Sequence, residues 1–204
     1  MVIATLILFG GIWVNLNPDL VNTTYNFDDS DENPNLVGLQ EYEHWLVIRV
    51  AFPSMPHSLS ETESLLLGPG SAQEYISQLS GGVSNLEVTI SDEVWISDFE
   101  ESYWGADSQT ERDVGNGGNG VDKLVEESAL DLLSGMDLSQ WDINGDGVID
   151  RLLVLHSGNA QESGGPSNSI WSHFSNLMNP VSVGKWEIQH YTISSMESGL
   201  GTLV

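Results

Sequence analysis

Between Asp142 and Asp150 the chain reads Asp-Ile-Asn-Gly-Asp-Gly-Val-Ile-Asp and then runs into the apolar segment "RLLVLHSG". Oxygen-bearing side chains fall on alternate positions at Asp142, Asn144 and Asp146, Gly147 allows a sharp turn, and Asp150 closes the set after the Val148 carbonyl. A hard cation such as Ca2+ takes six to eight oxygens at about 2.3–2.6 Å, which a loop of this pattern can supply. Carboxylates this close repel one another, and a divalent ion removes that cost. The expected ligands are therefore Asp142, Asn144, Asp146, the Val148 carbonyl and Asp150. A helix-loop-helix calcium hand would place a bidentate Glu at the twelfth position, which is Leu153 here, and the chain enters a strand instead of a helix. The reading is a calcium-type loop in another fold, with Glu162 as a candidate last ligand. The alternative is an acidic turn that holds no metal.

Three histidines, His156, His173 and His190, end or interrupt strand-like runs. Histidine nitrogen is a common zinc ligand, but no two of these three stand at the i, i+4 spacing that puts a pair on one helical face. They read as hydrogen-bonded core residues. No G-x-S-x-G, phosphate-binding loop or dinucleotide-binding glycine pattern is present, and the absence of cysteine removes disulfides, thiolate catalysis and Cys-type zinc sites.

The elements that must hold the loop follow from periodicity. "HWLVIRVAFP" from His44 is a continuous apolar strand closed by proline. A short helix starts at Ser60, Gly-Pro-Gly interrupts it, and a second runs to about Ser80. Leu86, Val88, Ile90, Val94 and Ile96 alternate as in a half-buried strand or hairpin. The Gly-rich stretch 101–120 reads as a polar surface loop. From Val121 the apolar residues Leu124, Val125, Ala129, Leu132 and Leu133 form one helical face, stopped by Gly135. "RLLVLHS", "SIWSHF" and "KWEIQHYTI" are three further strand-like runs. Helices mixed with strands predict an α+β or α/β-like domain, a mixed sheet with helices against it.

The 204 residues suffice for one sizeable core. Five Lys+Arg against thirty Asp+Glu give a formal charge of −25, which repels phosphates and excludes a nucleic-acid partner. The uncharged run Val2–Val14 is too short for a stable membrane span and has the length of a signal-peptide core, although no Lys or Arg precedes it and no small-x-small site follows. A buried strand or helix is the other reading of that run. Residues 15–43, with seven acids and no Lys or Arg, read as an acidic linker or propeptide remnant, and 44–204 as the folded domain. A sequon at Asn22-Thr23-Thr24 lies in the linker.

The order of "WLVIRVAFP", "EYISQLSGGVSNLEVTISDEVW", "SYWGAD", "LVEESALDLLSGMDLSQWDINGDGVIDRLLVLHSG", "SGGPSNSIWSHFSNL" and "QHYTI" resembles the secreted immune inhibitor A family of zinc metallopeptidases, from about His44 onward. The acidic loop leading into "LLVLHSG" and the later "IWSH" are the most specific pieces. The resemblance implies a zincin-like fold, an extracellular location, Zn2+ in the full-length protein and hydrolysis of peptide bonds in protein substrates. The family's H-E-x-x-H, two zinc ligands and a general base on one helix, occurs nowhere in these 204 residues, so no catalytic residue is assigned. The expectation is an N-terminal part of such a catalytic domain, inactive alone, with its zinc ligands beyond Val204. A non-catalytic calcium-binding extracellular or adhesion module is the rival. A dockerin-like module would need two copies of the acidic loop, and there is one.

Overall fold

A continuous apolar run has no solvent face, so a strand made from one must be covered on both sides. Two strands meet that description. In β1 (Tyr42–Ala51) every residue from Leu46 to Ala51 is buried, and in β3 (Leu152–His156) all five are. In the computed structural model, which describes residues 37–56, 59–118 and 120–196, these two are neighbours at the centre of a five-stranded sheet. The run Val2–Val14, the sequon and most of the acidic linker lie outside the described residues.

The sheet order is β2-β1-β3-β5-β4, with β2 (Asn85–Ile96) and β4 (His173–Val183) at the edges. β1 is parallel to β2 and β3, and β3 is parallel to β5 (Trp186–Ser195). Only β4 runs antiparallel, joined to β5 by a tight turn at Gly184. The mixed sheet with helices that periodicity predicts is the observed class.

Side-chain alternation sorts the core into two layers. Leu46, Ile48 and Val50 of β1 join Leu152 and Val154 of β3 on one face. There they pack against α4 (Val121–Leu133), whose buried residues Val121, Leu124, Val125, Ser128, Ala129 and Leu133 form the expected stripe. Val47, Leu153 and Leu155 point the other way, toward Leu66 of α1 (Leu59–Leu66) and Ala72 and Ile76 of α2 (Ala72–Leu79). Burying one such leucine side chain stabilises by about 2 kcal/mol.

Three boundaries differ from the sequence reading. β1 begins at Tyr42 rather than His44, because Tyr42 already pairs with Asn85 and the entering chain is held by Arg151. Arg151 donates to the carbonyls of Val37 and Gly38 at 2.8 and 2.9 Å and to buried Glu43 at 2.8 Å. The alternating run 85–96 is one strand, not a hairpin. Its register shifts between Val47 and Arg49, and the Arg49 guanidinium bonds the Ser91 and Asp92 carbonyls at that irregularity. The stretch 101–120 is not wholly a surface loop. Its start folds as α3 (Glu101–Trp104), where Trp104 enters the core and donates from Nε1 to Ser97 Oγ at 2.9 Å. Among the described residues no helix is long and apolar enough to cross a membrane.

Candidate metal-binding site

The loop 142–150 lies between two fixed points. On its entry side a 3₁₀ turn, Ser139–Trp141, buries Trp141 in the core. On its exit side Ile149 donates to Glu187 O at 2.9 Å and Glu187 donates to Gly147 O at 2.8 Å, which ties the loop to the start of β5. A bond from Asp150 N to Trp141 O, 2.8 Å, closes the neck. The two glycines take the turns that L side chains resist, with φ of 77° at Gly145 and 89° at Gly147.

Within this frame the acidic side chains turn inward onto the loop's own amides. Asp142 Oδ2 accepts from Gly147 N at 3.2 Å, Asn144 Oδ1 from Asp146 N at 3.0 Å, and Asp146 Oδ1 from Val148 N at 2.8 Å. Asp150 Oδ2 accepts from Ile143 N at 2.7 Å. Each carboxylate at the neck keeps one oxygen that is buried and has no protein donor, Asp142 Oδ1 and Asp150 Oδ1. Leaving such atoms unsatisfied costs roughly 1–3 kcal/mol each, more when charged. Burial pushes the Asp150 carboxyl above its ordinary range, and the nearby Asp146 charge adds to the shift. A cation in the loop would satisfy the orphaned oxygens and reverse both effects.

The expected positions are thus brought into one turn: Asp142 and Asp150 half-buried or buried at the neck, Asn144 and Asp146 exposed at the tip, and Val148 buried in an isolated bridge to Glu187. Among the described residues no three Asp, Glu or His side chains already converge to metal-ligand distance. The set expected of this loop is mixed, because one donor is an amide and another a backbone carbonyl. Glu162 is placed elsewhere. Its Oε2 accepts from Ser172 N at 3.2 Å, and its charge acts on Asp113.

The histidines occupy three different strands. His156 is fully buried on β3, 3.9 Å from Glu101 Oε1. His190 is buried on β5, where desolvation lowers its basicity and the adjacent Asp150 opposes that shift. His173 opens β4, with Nδ1 2.7 Å from Trp171 O and Nε2 3.2 Å from Tyr191 Oη.

Two polar clusters escape a reading based on spacing. Glu101 is buried at the start of α3, where its carboxylate accepts from Asn159 N, Ser169 Oγ and Ile170 N at 3.1–3.2 Å. Burial raises its pKa and these bonds oppose the rise. Asp113, Asp122, His173 and Tyr191 form a second cluster beside β4. Neither has a local signature, since the partners are scores of residues apart. The structure adds that Asp113 stands at positive φ, 54°, within a Gly-rich stretch.

Comparison with known proteins places this architecture. Residues 16–202 match the catalytic domain of the immune inhibitor A peptidase M6 family. A relative named Immune inhibitor A, from Bacillus thuringiensis subsp. alesti, is 27% identical over 168 residues, covering 73% of this chain. The chain spans 23% of that relative's length. The five-stranded mixed sheet is consistent with the zincin-like fold expected of the domain. On a domain match that runs over most of its length, the chain belongs to the immune inhibitor A family of M6 metallopeptidases.

Proposed function

We propose that the chain forms the sheet-bearing part of the catalytic domain of a secreted zinc metallopeptidase that cleaves peptide bonds in extracellular proteins. The family match over 16–202 carries this reading. When bound, zinc polarises the scissile carbonyl and lowers the pKa of an attacking water. The residues present do not form a zinc site: H-E-x-x-H is absent from the sequence, and among the described residues no ligand triad converges. No step of the hydrolysis is therefore assigned to them. What these residues supply is the framework, with β4 presenting an open antiparallel edge and α4 backing the sheet.

The loop 142–150 holds a structural calcium ion in this reading, through Asp142, Asn144, Asp146, the Val148 carbonyl and Asp150. Its support is the pair of orphaned buried oxygens, Asp142 Oδ1 and Asp150 Oδ1. Export rests on the length and neutrality of Val2–Val14. The test is a chimera in which residues 37–196 replace the corresponding segment of the Bacillus relative. The folded chimera should hydrolyse casein, lose activity to a zinc chelator and regain it with zinc. A chimera that folds by circular dichroism yet leaves casein intact with zinc present overturns the assignment.

A further inference from the structure

Asn144 and Gly145 stand exposed at the tip of the acidic loop. An asparagine followed by glycine can react with its own main chain, because no side chain shields the glycine nitrogen from the neighbouring carboxamide. We propose that Asn144 is a site of spontaneous deamidation in the folded protein, giving aspartate and isoaspartate at the loop tip. The proposal needs neither a bound ion nor peptidase activity.

The step balances with water as its co-reactant, and nothing is oxidised or reduced. Base takes the Gly145 amide proton, the nitrogen attacks Asn144 Cγ, and a five-membered ring closes as that N–C bond forms. The Cγ–Nδ2 bond then breaks, and the leaving nitrogen takes up a proton and departs as ammonia. Water adds to either carbonyl of the resulting succinimide. Breaking the new N–Cγ bond restores the main chain with an aspartate. Breaking the original N–C bond leaves the main chain running through Cγ, which is isoaspartate.

Three observations carry it. First, the nucleophile is free: among the described residues no acceptor takes a hydrogen bond from Gly145 N. The space beside Gly145 is open as well, with nothing within 4 Å of where a side chain would stand. Second, the Asn144 carboxamide is held over the turn that contains this nitrogen. Its Oδ1 accepts from Asp146 N at 3.0 Å, and its Nδ2 donates to Asp146 Oδ2 at 3.0 Å. Side-chain bonding to the amide two residues on folds the asparagine back along its own chain. Third, attack at Cγ builds negative charge on Oδ1, and the Asp146 N–H is already aimed at that oxygen. A donor fixed where charge develops lowers the barrier.

The products change the loop in two ways. A carboxylate oxygen replaces the Nδ2 donor that faces Asp146 Oδ2, so an attraction becomes a repulsion between like charges. Isoaspartate also adds one atom to the main chain of a loop whose ends are pinned, by Asp150 N to Trp141 O at the neck and by Glu187 at the exit. Both changes loosen the turn that leads into β3.

The experiment incubates the 204-residue chain, folded by circular dichroism, in mildly alkaline heavy-oxygen water with a chelator present, beside the same chain unfolded in urea. Peptide mapping by mass spectrometry follows position 144. The peptide that spans it should lose ammonia and gain one solvent oxygen, with isoaspartate among the products. Isoaspartate marks the succinimide, since direct hydrolysis of the side chain yields aspartate alone. The folded chain should convert at a rate within about tenfold of the unfolded one. Asn144→Gln, which would have to close a larger ring, should stay intact over the same time. Converted protein, separated by its extra negative charge on anion exchange, should melt a few degrees below the parent, and its isoaspartate form below Asn144→Asp. The proposal is overturned if the folded chain converts more than about tenfold slower than the unfolded one, which is the behaviour of a shielded tip. Aspartate without isoaspartate, equal conversion in Asn144→Gln, or an unchanged melting temperature in the converted protein also overturns it.

Discussion

Asp146→Ala tests the calcium site proposed at the acidic loop. Asp146 is exposed, so truncating it opens no cavity. Without calcium the variant loses the acceptor for Val148 N, 2.8 Å away, a bond worth about 1 kcal/mol. It also removes the charge that raises the Asp150 carboxyl, which opposes that loss. The two effects oppose each other, and the calcium-free variant should melt at most a few degrees below the parent. With calcium at a hundredfold its dissociation constant, the parent should gain about 2.7 kcal/mol. For a domain of this size that is a rise in Tm of roughly 5–11 °C. Asp146→Ala should lose most of that rise, while Asp131→Ala, exposed near the end of α4, should keep it. Scanning calorimetry with and without millimolar calcium reads the difference, and titration calorimetry reads the binding. Magnesium should act more weakly, because it gives up its waters reluctantly and demands octahedral geometry. A folded parent with neither heat nor thermal shift from calcium refutes the loop as a site. So does an equal shift in Asp146→Ala.

Other perturbations test the polar clusters. The Asp113 carboxyl has a folded pKa of about 7 against an ordinary 3.8, so the folded state binds the extra proton between those values. Stability should therefore be full below about pH 4 and fall as pH rises to 7, by at most about 4 kcal/mol, and Asp113→Asn should flatten that slope in urea titrations. Arg151→Met leaves Glu43 buried without its partner and should cost about 3–5 kcal/mol by chemical denaturation, with faster proteolysis near Val37–Gln40. Gly158→Ala sets a methyl group against the Glu101 carboxyl, which three hydrogen bonds prevent from moving aside. A loss of about 1–3 kcal/mol is expected, and an unchanged Tm would show that the Glu101 cluster yields easily.

The parts of the fold visible in the sequence are those whose physics is local. The α4 stripe, the alternation of β2 and the buried runs of β1 and β3 each follow from one segment's own periodicity. The acidic loop is likewise self-contained, since its turns, its glycines and its internal bonds lie within nine residues. Sheet order was not legible, because β1 chooses β2 and β3 through registers such as Tyr42↔Asn85 and Leu46↔Leu152 that no local pattern encodes. The buried carboxylates were hidden for a related reason. Glu101 and Asp113 sit in polar, Gly-rich sequence that ordinarily marks solvent, yet backbone amides at 159, 170 and 171 come from across the fold to satisfy them. Glu162 illustrates the converse, a residue close in sequence to the acidic loop that the chain directs to Ser172 instead.

The pairing of β1 with β3 has a consequence for how the molecule is made. Partners such as Val47 and Leu153 are separated by about a hundred residues, so the centre of the sheet is its least local contact. At synthesis rates of about 5–20 residues per second, β1 waits roughly 5–20 s before β3 exists. During that interval an almost wholly apolar strand has one edge without its native partner. The heavy negative charge of the chain works against association of such strands between molecules, because like-charged chains repel. Completion then comes late and from the C-terminal side: the strand that fills the middle of the sheet begins two residues after Asp150, the last acid of the loop. The loop is tied to β3 by sequence and to Glu187 of β5 by hydrogen bonds, so it can take its final form only once β5 has also been made.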